Sequence, residues 1–187
     1  MRPVRVLGLG GSQRPGSASE RALRIALASA AEVGCEVTAL MASELELPFY
    51  TPADPARTPA ALRFVELVRG CDGLVIASPA YHGSMSGLIK NALDYLEDLR
   101  GDERPYLDGR AVGCIAIGSG WQATVTTLAA LRSVIHALRG WPTPLGVVVN
   151  STEIRFDDDG RCLSGPVAQQ LELVGRQVAD FAVRLHR

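Results

Sequence analysis

Short runs of β-branched and apolar residues alternate along the chain with longer segments in which apolar positions recur every three or four residues. The first pattern predicts buried strands and the second predicts helices with one face on a core. Residues 4–9 (VRVLGL) form the first expected strand, followed by a helix over about 18–33 with Leu23, Ala26, Leu27, Ala30 and Val33 on one face. A second strand is expected at 37–40. Residues 42–59 hold four prolines and little periodicity, which predicts a long surface loop leading to a helix over about 60–70. A third strand at 73–77 (GLVIA) precedes Ser78-Pro79 and a helix over about 86–99. A fourth at 111–117 precedes a helix over about 123–139, and a fifth spans about 145–150 (LGVVVN). The last helix carries the clearest stripe: Val167, Leu171, Val174, Val178, Phe181 and Leu185.

Five strands separated by helices predict an α/β domain with a doubly wound parallel sheet. There is no composition break and no repeat, so one domain is expected over residues 1–187. Such sheets bind ligands at the carboxyl ends of their strands, where strand order reverses. The segments to inspect are therefore 10–17, 78–86 and 118–122, all rich in the Gly and Ser that close backbone approach requires.

Composition narrows the functions available. At 187 residues and 47% hydrophobic the chain can bury a full core without a metal or disulfide staple. Twenty acids face nineteen bases, giving a net charge of −1 and no field to attract nucleic acid or an acidic membrane. Lys90 is the single lysine and follows Ile89, which excludes a Walker-A phosphate loop. Cys35, Cys71, Cys114 and Cys162 lie far apart with no C-x-x-C pair, so no metal site is expected, and the three that sit at or inside apolar runs read as small buried hydrophobes. The N-terminal apolar stretch runs into Gly-Gly-Ser and reads as a strand rather than a signal peptide. With no apolar run near the roughly 18 residues of a membrane span, a soluble, cytoplasmic, reduced protein is expected.

The first loop, 10–19, opens directly into a helix. It offers Gly11 and backbone N–H groups, hydroxyls at Ser12, Ser17 and Ser19, one guanidinium at Arg14, and no acid. That donor set suits a phosphate. The pattern G-x-G-x-x-G fits Gly8 and Gly10 but fails at Gln13, so a phosphomonoester fits better than a dinucleotide pyrophosphate. The alternative is that Ser17 or Ser19 caps the helix and Arg14 is a solvated loop residue. The second loop, Ser78-Pro79-Ala80-Tyr81-His82-Gly83-Ser84, offers an aromatic and small residues along which a flat heteroaromatic ring can lie.

These two loops resemble those of the NAD(P)H-dependent FMN reductase family of the flavodoxin-like superfamily. Its members carry G-S-x-R-x-x-S after the first strand and S-P-x-Y-x-x-S-x-x-G-x-L-K-N-x-x-D after the third. Gly11, Ser12, Arg14 and Ser17 match the former; Ser78, Pro79, Tyr81, Ser84, Gly87, Lys90, Asn91 and Asp94 match the latter. Departures are Ile89 for leucine, Ser86 for proline, Ala80 for glutamate and Tyr95 for tryptophan, none of them a phosphate donor. The resemblance implies a flavodoxin-like sheet of order 2-1-3-4-5 with helices on both faces. It also implies FMN as cofactor and NADPH or NADH as hydride donor. Arg14 with Ser12, Ser17 and Ser19 would hold the phosphate, the 79–84 loop would line the isoalloxazine, and Ser119, Gly120, Trp121 and Gln122 would close its other edge.

Hydride transfer needs no general base, so no catalytic side chain is expected, in keeping with the lack of a Ser-His-Asp or Cys-His arrangement. His82 reads either as a nicotinamide or second-substrate contact or as a solvent-facing loop residue. Trp121 reads as packing over the ring, beneath a neighbouring subunit, or in the core. The reduced flavin or its electrons would pass to an acceptor, a flavin-dependent monooxygenase among the options. A bound-FMN quinone or azo-type reductase is the rival enzyme. An electron carrier is the rival of another class, although carriers are usually strongly acidic. Lys90 and Asp94 are spaced to pair. The 86–99 helix is apolar on more than one face, which predicts a homodimer or homotetramer. Residues 157–160 (DDDG) lack the spacing of a calcium loop and read as a turn.

Overall fold

The computed structural model describes residues 2–53 and 55–185. Positions 1, 54, 186 and 187, which the expected domain and its long loop include, lie outside the described residues.

Strands β1 (Arg5–Gly10), β2 (Glu36–Met41), β3 (Gly73–Pro79) and β4 (Ala111–Gly118) pair in parallel in the order β2-β1-β3-β4. Gly10 is in register with Met41 on one side and Ala77 on the other. β3 and β4 are buried along nearly their whole length, as continuous apolar strands must be when helices cover both faces. Strand order reverses between β1 and β3, so the segments leaving these two strands lie side by side.

The fifth position holds two short strands rather than one. β5 (Trp141–Pro142) and β6 (Val147–Asn150) both run parallel to β4, facing Ala111–Val112 and Ile115–Gly118 respectively. Pro142 and Pro144 have no N–H to give to a ladder. A Cβ on Gly146 would stand 2.7 Å from Leu128 Cδ1, so the interruption is pressed against a helix. The expected 2-1-3-4-5 order stands, with its last strand broken.

Helices α1 (Ala18–Glu32) and α5 (Gly165–Leu185) cover one face. Helices α2 (Pro59–Gly70), α3 (Gly87–Asp94) and α4 (Trp121–Ala137) cover the other. Leu23, Leu27, Val174 and Val178 fill the first layer; Phe64, Ile89, Leu96 and Leu131 fill the second. α5 crosses α1 at Gly175, where a Cβ would run into the backbone carbonyl of Ala26.

The segment expected as one helix over 86–99 is α3 followed by a tighter 3-10 turn, Tyr95–Leu99. The turn is tied to the proline-rich loop above it. The Tyr95 hydroxyl donates to Pro48 O at 2.9 Å, and Asp98 takes a two-pronged ion pair from Arg57 at 2.7 and 2.9 Å. Those hydrogen bonds hold the Asp98 carboxyl below its ordinary range. Ile89, Ala92, Leu93, Tyr95, Leu96 and Leu99 are all buried within this chain. The apolar faces of this helix are thus satisfied internally and do not of themselves require a second subunit.

Cys35, Cys71 and Cys114 are buried, and Cys162 is partly exposed. Burial pushes the Cys71 thiol up to about 11 and the Cys114 thiol to about 12, and raises Cys35 as well. A thiol raised on folding stabilises the fold fully below its unfolded value of about 8.5, and that contribution is lost as pH rises through the folded value. Native protein treated with a thiol reagent near pH 8 is therefore expected to be modified at Cys162 first. Equally fast modification of Cys71 or Cys114 would contradict their burial.

Candidate functional site

The three segments singled out by the strand pattern meet at the carboxyl edge of the sheet. The first is fixed at its start by Gly11 N–H donating to Ala77 O at 2.8 Å. A Cβ on Gly11 would lie 2.5 Å from Ile89 Cγ1 and 2.9 Å from Ser86 Oγ, so only glycine lets the segment rest on the start of α3. Ser12 Oγ accepts from Arg14 N–H at 3.2 Å. Ser17 is the N-cap of α1: its Oγ accepts from Glu20 N–H at 3.3 Å, while the Glu20 carboxylate reaches back to Gly16 N–H at 2.9 Å. Of the two readings of Ser17, capping is thus realised.

Capping does not exhaust the donors. Ser17 and Ser19 are buried, and their hydroxyls are 3.1 Å apart, so the pair shares one proton and keeps another to give. The N–H groups of Ala18 and Ser19, at the first two positions of α1, have no intrahelical partner. The exposed Arg14 guanidinium makes no hydrogen bond or ion pair among the described residues. These groups face a cavity of about 410 Å³ lined by Ser12, Arg14, Ser17, Ser19, Tyr81 and Ser119, among others, with no carboxylate. Uncommitted N–H groups at a helix start, a hydroxyl proton and a free guanidinium fit a phosphate monoester dianion.

The second segment is stapled by Ser78. Its buried Oγ accepts from Ser86 N–H and donates to Pro79 O, both at 2.9 Å, which leaves it structural rather than ligand-facing. Ala80 N–H donates to Ile117 O at 2.7 Å, continuing the β3–β4 pairing one residue past the strand. Tyr81 and Ser84 exchange both backbone hydrogen bonds at 3.0 Å around a two-residue turn in which His82 and Gly83 have φ of 52° and 81°. Two positive φ values are the signature of a type I′ hairpin turn. The turn projects Tyr81 into the open, where it borders both the smaller cavity and a larger one. His82, Gly83 and Ser84 line neither.

In the third segment, Gly118 is packed so closely that a Cβ would meet Ala80 Cβ at 2.9 Å, and Ser151 N–H closes onto Gly118 O at 2.8 Å. Ser119 lines the smaller cavity. Gly120 is the N-cap position of α4. Trp121 is neither a core residue nor part of a cavity wall: 45% exposed, it donates Nε1–H to Glu153 at 2.8 Å. Gln122, next to it in sequence, is exposed and lines neither cavity.

The larger cavity, about 840 Å³, lies between the first segment, α3 and the proline-rich loop. Prolines mark that loop in the sequence, but no pattern in it singles out a site residue. Leu47, Pro48 and Phe49 form the wall, and Asn91 holds them: its Nδ2 donates to Leu47 O and Pro48 O, and its Oδ1 accepts from Tyr50 N–H. Asn91 thus braces the wall, whereas Lys90 and Asp94 form a surface ion pair at 2.6 Å of little energetic weight. Phe49 is 90% exposed at the cavity rim. Among the described residues no cluster of His, Cys, Asp or Glu is placed to hold a metal ion, and no helix is long and apolar enough to cross a membrane.

Sheet order and the placement of all three loops define a flavodoxin-like fold with an acid-free cavity at its switch point. Comparison with known proteins narrows this. A family model described as NADPH-dependent FMN reductase matches residues 4–153. Over 98% of its length the chain is 30% identical to an NAD(P)H-dependent FMN reductase of Pseudomonas aeruginosa, of which it covers 96%. It is 27% identical to an NADPH azoreductase of a Bacillus species over 68% of this chain and 70% of that one. Among solved structures it is similar to FerB, a flavoenzyme NAD(P)H:(acceptor) oxidoreductase from Paracoccus denitrificans, with TM-score 0.77, 22% identity and coverage of 97% and 98%. A WrbA-like flavodoxin from Agrobacterium tumefaciens superposes with TM-score 0.65 at 15% identity, each chain covered in full. The chain belongs to the NADPH-dependent FMN reductase family.

Proposed function

We propose that this chain is a single FMN-binding domain that passes hydride from NADPH or NADH to FMN and hands the reducing equivalents to an acceptor. The observation that carries this is the convergence of uncommitted donors, Ala18 and Ser19 N–H, the Ser17–Ser19 hydroxyl pair, Ser12 and Arg14, on one acid-free cavity at the switch point. In this reading those residues hold the FMN phosphate. Pro79, Ala80 and Tyr81 form the ring wall, Ser119 closes the opposite edge, and the His82–Ser84 turn and Gly120–Gln122 frame the rim. Bound FMN supplies the hydride-accepting ring. The chain supplies stacking geometry, phosphate anchoring and a dry wall, with no side chain acting as acid or base.

The test is anaerobic mixing of FMN-loaded protein with NADH or NADPH. Bleaching of the flavin absorbance is expected, and a flavin that neither nucleotide bleaches would make the chain an electron carrier. Subsequent addition of free FMN, a quinone or an azo dye identifies the acceptor. The azoreductase relative favours including the dye. Fast reoxidation by quinone or dye with FMN retained supports the quinone or azo-type reading. Release of reduced FMN supports delivery to a partner such as a flavin-dependent monooxygenase. A homodimer or homotetramer working in the cytoplasm completes the proposal, with exposed Phe49 at the rim of the larger cavity as a surface that a second subunit would cover. Sedimentation as a monomer at micromolar concentration would remove the oligomer from it.

A further inference from the structure

We propose that a second cavity beside the phosphate site takes the adenylate half of FAD, so that this chain binds FAD as well as FMN; the proposal rests on the flavin reading above. The cavity, about 580 Å³, lies between the 11–17 segment and the segment following β6. It shares Arg14, Ala18 and Ser151 with the smaller cavity, so it begins where the phosphate of FMN would end. FAD departs from FMN at that same phosphate, adding one more phosphate and an adenosine. The required space, cations and apolar wall are all present.

Three arginines, Arg14, Arg21 and Arg155, line the cavity together with Ile154 and Phe156, and no carboxylate does. Nearby acids are engaged elsewhere. Glu20 takes Gly16 N–H and the Arg24 guanidinium, and the Asp157 carboxylate accepts from Arg161 N–H at 2.7 Å. Arg21 is preorganised: its Nη1 donates to Phe156 O at 3.2 Å and Asp157 O at 2.6 Å, which fixes the guanidinium across the gap between α1 and the 151–164 segment. A Cβ built on Gly16 would come within 3.9 Å of Arg21 Nη2, so the outer nitrogen turns toward the phosphate loop. Arg155 is exposed, and its side chain has no partner among the described residues. Ile154 and Phe156, half-buried and packed on the α1–α5 layer, offer an apolar surface for a purine. The volume is that of an ordinary small-molecule site. An acid-free pocket bordered by three guanidiniums presents a positive field suited to an anion.

Titration calorimetry of the protein and of Arg155→Glu with FMN and with FAD tests the assignment. Arg155 lies outside the FMN cavity and on the surface, so the variant is expected to fold and to keep its FMN affinity within about threefold. FAD binding should weaken about tenfold or more, as for loss of a hydrogen bond to a charged group. Equal weakening of both flavins would reveal a general field effect, and an unchanged FAD affinity would show that the cavity does not hold the adenylate; either overturns the proposal. A third arm compares NADPH and NADH on FMN-loaded protein. If Arg155→Glu raises the KM for NADPH alone while FAD binding is untouched, the cavity serves the nucleotide's 2′-phosphate and the FAD assignment fails. If the parent protein binds neither flavin, the flavin reading falls and this proposal with it, whereas FMN binding without FAD binding overturns the proposal alone.

Discussion

An Arg14→Ala protein is expected to bind FMN about 10- to 100-fold more weakly than the parent while melting at the same temperature. The two halves of this expectation come from one observation. Arg14 makes no hydrogen bond or ion pair among the described residues, so its removal leaves no group of the fold unpaired. Its guanidinium borders the acid-free cavity proposed to take the phosphate, where a hydrogen bond to a dianion would be worth about 1.5–3 kcal/mol. Arg14→Lys keeps the charge but loses the two-pronged geometry, and an intermediate affinity is expected. A fluorescence titration measures all three. Parent-like affinity in Arg14→Ala would remove the phosphate from this loop.

Gly175→Ala is expected to produce the largest loss of stability. The added methyl would collide with the backbone carbonyl of Ala26, and neither partner is a side chain that can rotate away. Relief requires α5 and α1 to separate, opening the layer built from Leu23, Leu27, Val174 and Val178. Overpacking a well-filled core costs about 1–3 kcal/mol and more when the obstacle is rigid. In a domain of this size that is a fall in Tm of roughly 2–12 °C. Gly165→Ala, in the first turn of the same helix, places its methyl in open space and should leave Tm nearly unchanged. Comparable melting of the two variants, followed by circular dichroism, would show that the helices are not in contact at Gly175.

How far the sequence discloses this molecule depends on whether a feature is local. Strand and helix order, the last helix and the three loop segments that meet at the carboxyl edge follow from periodicity and turn residues, which act over a few positions. Ser17 as a cap and Lys90 paired with Asp94 were legible for the same reason. Non-local features were not. Arg110 sits 1% exposed with its guanidinium spent on the carbonyls of Arg69, Cys71, Tyr106 and Asp108, yet nothing in its surroundings in the sequence separates it from a solvated arginine. Ser78 opens the loop expected to border the ring, but its hydroxyl is held by Ser86, eight residues away across that loop. Asn91 fits the motif without revealing that its amide holds a wall more than forty residues upstream. Trp121 had three sequence readings, and its bond to Glu153, thirty-two residues on, is a fourth.

The break between β5 and β6 bears on the fate of the chain when it is partly open. The margin of a sheet is where a stray copy of the same sequence can add itself as one more strand, strand after strand, toward fibrils. Here that margin presents two strands of two and four residues, separated by a stretch that includes Pro144, with Pro142 ending the first. No long run of N–H donors is left on that side, so strand addition by another copy is disfavoured at this edge of the sheet.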